Sequence, residues 1–294
     1  AMIGDVITLL LIVMIGGLRM SVAEDGMTEV KERSRCEMKL VVSSEPIVRG
    51  KVIQFDGLIS SENEGRWKNY EGKKIRCSML RDTINNKYKD VHIGKGVRGT
   101  IGLSTLSELT TRNARFDYAR WLKTHGFVAR GFIDSDKWAI EEVTLGDISC
   151  WEYLRLRMLM YREKIVQKIK ETGMDESSFA VATAMVLGDK SRLTQELRYE
   201  YNASGVSHIL ALSGMHLSII YYIFSLLIGR RHRWKRLSVV GVIWAYVLLV
   251  GMPVSIMRAA TVLTLWALVR MYWHEPHPLN IFGLALMLIV GLNP

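Results

Sequence analysis

Residues 209–236 read ILALSGMHLSIIYYIFSLLIGRRHRWKR. The first twenty are apolar or small, and His216 is the only acidic or basic side chain among them. Twenty residues of helix rise about 30 Å, the thickness of a hydrocarbon core. The next eight carry fixed positive charge at Arg230, Arg231, Arg233, Lys235 and Arg236. Short loops this basic stay in the cytoplasm, so the run is expected to enter the cytoplasm at its C-terminal end. What precedes it then lies outside.

Moving outward, further spans are expected at 237–252, 254–271 and 279–292, with Gly251 and Pro253 making the reversal between the first two. Towards the N-terminus, residues 3–18 are apolar and stop at Arg19. They read as the end of a signal-anchor or of a span. A net charge of +10 is concentrated between these apolar stretches and in the one basic loop, which directs attention to polyanions: nucleic acid, anionic lipid headgroups, or both.

Segments of strand character recur at 37–42, 51–59, 73–80 and 96–103, punctuated by Pro46, Gly65, Gly94 and Gly96. They suggest a small barrel, with the oligonucleotide-binding barrel as the leading candidate. The expected fold class is mixed: an N-terminal transmembrane helix (1–18), a linker (19–35), a small all-β extracytoplasmic barrel with flanking helices (36–148), a basic amphipathic helix (149–177), and an α-helical multi-span membrane bundle, incomplete at 178–294.

Between 107 and 126, Phe116, Tyr118 and Trp121 interleave with Arg115, Arg120 and Lys123. Such a pattern stacks bases and neutralises phosphates, or packs aromatics on the barrel below a solvated basic face. From 151 to 169, Trp151, Leu154, Met158, Ile165 and Ile169 fall at helical spacing opposite six cations. This helix suits a membrane surface, or bridges the barrel to the bundle. Cys36, Cys77 and Cys150 have no zinc spacing, and no metal or other cofactor is expected. Cys36 and Cys77 are read as a disulfide if the domain faces an oxidising compartment, and otherwise as two half-buried thiols.

The densest signal is AVATAMVLGDKSRLTQELRYEYNASGVSHILALSGMHLS, 180–218. Asp189 and Lys190 follow an apolar stretch too short to span, as in a broken or re-entrant helix, or a buried soluble one. His208, Ser213 and His216 lie in or just before a membrane segment, where polar groups need partners. Ser213 and His216 share a helix face. They allow a nucleophile with its base, or part of a metal site, but no acid is placed to orient the histidine and no third ligand is near. Packing, or lining a polar path, is the reading preferred. Arg258, at the start of the 254–271 run, either snorkels outward or attracts an anion.

The run Leu187–Ser191 (LGDKS) with 208–216 (HILALSGMH) closely resembles the signature of the ComEC/Rec2 competence proteins, the inner-membrane channels for DNA uptake in natural transformation. Gly251, Pro253, Ser255, Arg258 and Ala259 look like a further family segment, Asn293 and Pro294 resemble its recurrent helix end, and 116–126 is similar to the close of its extracellular barrel. The resemblance implies passage of single-stranded DNA through the bundle, with His208, Ser213, His216, Arg258, Asp189 and Lys190 on or near its path and no catalytic residue. It implies a bacterial cytoplasmic (inner) membrane location, multi-pass, with the lipid bilayer, a DNA receptor and a cytoplasmic translocase as partners. Many family members carry more spans and a metallo-β-lactamase-like nuclease domain. This sequence has no His-x-His-x-Asp-His motif, so nuclease activity is not assigned to it, a separate nuclease domain stands among the partners the resemblance implies, and the sequence reads as a fragment or as one part of the channel. Two alternatives stand beside this: an intramembrane hydrolase using Ser213 and His216, and a non-transporting envelope-binding protein.

Overall fold

The computed structural model describes residues 30, 33–63, 65–82, 87–106, 108, 117–144, 146–206, 212–228, 233–272 and 278–292. The expected span at 3–18, Arg115, His208, Arg230 and Arg231 lie outside the described residues. Two compact units divide at Met160 and Tyr161.

The first unit is a barrel of five strands. Strands β1 (Ser34–Val42), β3 (Val52–Ile59), β4 (Lys74–Leu80), β5 (Lys95–Ser104) and β6 (Phe127–Glu142) follow the order β1-β5-β6-β4-β3, and β1 pairs again with β3 to close the ring. Closure runs through Leu40 opposite Ile59 and Val42 opposite Gly57. The short β2 (Ile47–Arg49) pairs with β3 as a hairpin. All these pairings are antiparallel except β4 with β6.

Period-two alternation builds the wall. In β3, Ile53 and Phe55 are buried while Val52, Gln54 and Asp56 stay half-exposed; in β4, Ile75, Cys77 and Met79 are buried against Lys74 and Arg76. Met38, Leu40, Ile101 and Leu103 complete the interior. Gly131 on β6 is needed there, because a Cβ would lie 3.1 Å from Ile101 Cγ2 and 3.2 Å from Ile75 Cγ2. Helix α1 (Tyr118–Thr124) joins β5 to β6 and is capped by Asp117, whose side chain accepts from the Arg120 N–H.

No disulfide joins Cys36 and Cys77, so of the two readings the sequence allowed the thiols stand. Cys36 is on β1 and Cys77 on β4, and round the closed ring β3 lies between them. Burial pushes the Cys77 thiol up from its usual range, away from the reactive thiolate.

Helix α2 (Cys150–Lys170) seals one side of the barrel with Leu156 and Leu159 against Val41, Leu58, Ile93 and Ile148. Of the stripe read from sequence, Trp151 and Leu154 are exposed and Met158 is half-buried, while Ile165 and Ile169 pack against the helical core. A helix with apolar residues on two sides has no unique face by spacing alone. The barrel selected the side where Leu156 and Leu159 fit.

The second unit is helical. It contains α3 (Glu176–Leu187), α4 (Gln195–Ala203), α5 (Gly214–Ile228), α6 (Arg233–Val250), α7 (Val254–Tyr272) and α8 (Pro278–Leu292). Leu217, Val239, Ile243, Val247, Ile256 and Ala260 form the core where α5, α6 and α7 meet. The Trp244 indole N–H donates to Thr264 Oγ1 at 3.0 Å, fixing α6 against α7. Among the described residues one helix is long and apolar enough to cross a membrane, at Val254–Met271. The other three expected spans appear as shorter apolar helices, Gly214–Ile228, Leu237–Val250 and Asn280–Val290.

Candidate functional site

Four sequence segments converge within the helical unit: 188–192, 212–216, 250–255 and 258–259. The first is a helix stop. Gly188 ends α3 in the left-handed conformation (φ 71°), and the Asp189 N–H returns to the Thr183 carbonyl. The turn fits tightly, since a Cβ on Gly188 would lie 2.6 Å from Leu212 Cδ1 and 2.9 Å from Val250 Cγ1.

Asp189, only 4% exposed, is the anchor of this turn. Its Oδ1 accepts from the Ser191 N–H (3.0 Å) and hydroxyl (2.6 Å), and its Oδ2 accepts from Arg192 Nε (3.3 Å). Arg192 continues to Glu163 at 2.5 Å and stacks over Phe179. Lys190, by contrast, is exposed, and its carbonyl accepts from Arg198. Arg192 and Glu163 were not singled out in the sequence. The signal available was the run of charges after Gly188, but the 29-residue separation to Glu163 hides their pairing.

Ser213 and His216 do meet. Ser213 Oγ lies 3.0 Å from His216 Nδ1, the Ser213 N–H donates to the same nitrogen at 3.3 Å, and the His216 N–H donates to the Ser213 carbonyl at 3.2 Å. This is one half of a capping box: the histidine three residues on, in place of the usual Glu or Gln, accepts from the N-cap N–H, while its own N–H goes to the Ser213 carbonyl and not to the hydroxyl. It starts α5 at Gly214, and a Cβ on Gly214 would lie 3.0 Å from Ala259 Cβ, so α5 and α7 approach closely here.

Ser255 donates its hydroxyl to the Leu212 carbonyl at 3.1 Å, and Arg162 donates to the Val250 carbonyl at 3.3 Å. Between α6 and α7, Gly251 (φ 91°) and Met252 (φ 62°) are both left-handed, the latter a strained conformation for a side chain of that size. Arg258 is exposed, one turn beyond Ser255. The geometry therefore places Ser213, His216 and Ser255 around the close approach of α5 and α7, with the Asp189 turn adjoining them through the Gly188–Leu212 contact. Lys190 and Arg258 stand at exposed positions.

The barrel residues expected to bind nucleic acid divide by burial. Tyr118 and Trp121 are half-buried around Leu106, Leu122 and Phe127, whereas Arg120 is exposed and Lys123 half-exposed. Trp121 stacks on His125 at 4.2 Å, and Arg76, from β4, lies over both Trp121 (5.5 Å) and Phe127 (4.8 Å). No sequence pattern marks Arg76, which alternation places only as an outward residue of a strand. It binds Asp56 at 2.7 Å, which makes the aromatic cluster a cation-bearing surface with one charge already engaged.

A five-stranded barrel is thus followed in the chain by an apolar helical unit that holds one helix of membrane-spanning length and composition. Residues 185–294 match the family model described as "Competence protein", and this part of the chain is a ComEC-related competence domain. The four converging segments all lie within or directly beside that match. A protein of Aquifex aeolicus (strain VF5), described as "Uncharacterized protein", is 32% identical over 108 residues, covering 36% of this chain and 26% of the relative. The match thus spans about a quarter of that relative's length. No solved structure matches the chain.

Proposed function

We propose that this chain passes a single DNA strand across the bacterial cytoplasmic membrane in natural transformation, acting as a channel component and not as an enzyme. The observation that carries the proposal is the competence-family match at 185–294, within which Ser213, His216 and Ser255 lie about the start of α5, Asp189 anchors the adjoining turn, and Arg258 is exposed. In this reading the bundle is multi-pass, and the barrel, of the oligonucleotide-binding class, faces the outside and hands the strand inward. The basic segment 230–236 supports that orientation. A DNA receptor, a cytoplasmic translocase and a separate nuclease domain complete the pathway.

The test is uptake of radiolabelled DNA and transformation frequency in a competent host that depends on this protein. Arg258→Ala should lower both by on the order of tenfold, the effect of roughly 1.4 kcal/mol, with membrane levels of the protein unchanged. Unaltered uptake in Arg258→Ala and Lys190→Ala together would remove these cations from the path.

The 3.0 Å contact of Ser213 with His216 favours a second reading, an intramembrane hydrolase. In that case Ser213→Ala abolishes a measurable hydrolytic activity. In the channel reading it loosens a helix start and leaves no such activity to lose.

A further inference from the structure

Helix α2 has two apolar sides. Leu156, Leu159 and Val166 are buried on one. On the other, Trp151, Leu154 and Tyr161 are 51%, 45% and 62% exposed, with Met158 half-buried between them. Their spacing of three, four and three residues places all four on one stripe of a helix with 3.6 residues per turn. Single exposed apolar residues need no explanation, but a continuous stripe marks an interaction surface.

The borders of the stripe are basic. At 100° per residue, Arg155 and Arg162 fall along one edge, where Arg155 pairs with Glu152 and Arg162 reaches the Val250 carbonyl, and Arg157, Lys164 and Lys168 fall along the other, whose two lysines are exposed. The helix's two carboxylates are both engaged by arginine, Glu152 with Arg155 at 3.4 Å and Glu163 with Arg192 at 2.5 Å. Cations alone suit DNA and anionic lipid equally. Trp, Leu, Met and Tyr between two rows of long basic side chains suit the boundary of headgroups and acyl chains, where amphipathic rings rest and lysine or arginine snorkels outward. The chain also runs from α2 into the unit that carries the membrane-length helix α7.

We propose that the outward stripe of α2 lies in the headgroup layer of an anionic membrane, as an interfacial helix. The inference rests on the membrane reading and is independent of DNA transport.

The experiment uses the full chain reconstituted in vesicles of phosphatidylcholine, alone or mixed with phosphatidylglycerol. An environment-sensitive fluorophore is attached at the exposed native Cys150, beside Trp151; Cys77 is buried and Cys36 half-buried. A second preparation carries it at Leu154→Cys in a Cys150→Ser background. The expected result is a blue shift of emission in the anionic vesicles, quenching by nitroxide-labelled acyl chains, and weakening of both by Arg155→Gln with Arg157→Gln. Emission that stays red-shifted in both lipids, with quenching by aqueous acrylamide alone, overturns the proposal. So does a shift produced by a single-stranded oligonucleotide and not by lipid, which would make the stripe a nucleic-acid surface. Missing lipid contact with normal DNA uptake refutes only this inference, whereas lipid contact with uptake independent of the protein refutes only the channel reading.

Discussion

Lys39 and Asp147 are 4% and 0% exposed, and they meet at 2.8 Å inside the barrel unit. Burial by itself would push the Asp147 carboxyl up. The Lys39 ammonium, the Thr144 N–H and the Ser60 hydroxyl outweigh it and hold the carboxyl at about 2. For Lys39, burial works downward, and the contacts with Asp147 and Glu62 raise the ammonium above its usual value. Asp147 is therefore depressed relative to an unfolded carboxylate near 3.9, so its contribution is present above about pH 4 and is lost as pH falls towards 2. The Lys39 contribution runs the other way, complete below about pH 10.4 and lost as pH rises through the raised value. Asp147→Asn should destabilise the barrel by roughly 3 kcal/mol, the low end for breaking a buried pair, because Glu62 and Glu141 still face Lys39 at 3.1 and 3.6 Å. Thermal unfolding followed by circular dichroism across pH checks both the loss and its disappearance at low pH. Nothing in the sequence pointed to this pair. Ser213 with His216, three residues apart, was legible because the helix itself fixes that distance, but pairs formed through the fold were not.

At the scale of elements, strands with clean alternation were readable and the longest one was not. In β6, charges at Asp134, Asp136 and Lys137 and a glycine at Gly131 break the alternation, and the strand is held by its neighbours on both sides instead of by its own pattern. The stop at Gly188 is the opposite case, a glycine whose role is visible in sequence and specified by contact. Gly188→Ala puts a Cβ on a left-handed residue, at roughly 1 kcal/mol. The same Cβ also meets Leu212 and Val250 inside 3 Å, and such overpacking costs roughly 1–3 kcal/mol more. The outcome expected is a lower unfolding midpoint in detergent, together with loosening of the adjoining 212–216 segment, measurable as faster amide hydrogen exchange there. An unchanged midpoint would mean that Leu212 turns aside freely and that the Asp189 turn is not tied to the start of α5.

The whole molecule's charge of +10 directs attention to nucleic acid or anionic lipid, yet several of the barrel's cations are engaged. Arg76 is bound to Asp56, Arg98 to both Glu62 and Glu141, Arg35 to Asp134, and Lys39 to Asp147. Composition counts these cations in full, but a phosphate backbone meets them only if it displaces a carboxylate. Binding of single-stranded DNA to the purified full chain in detergent is therefore expected to involve few phosphates. The logarithm of affinity should fall with the logarithm of salt at a slope near −2 to −3, about 0.7 for each of three or four contacts. Fluorescence anisotropy over a salt series measures this directly. A slope near −6 or steeper would require the ion pairs to open on binding, making the barrel an active DNA-gripping surface. A slope near zero, with affinity retained, would shift recognition to base stacking on the Trp121–Phe127 cluster, and absence of binding even at low salt would move the DNA contacts into the helical unit around Arg258.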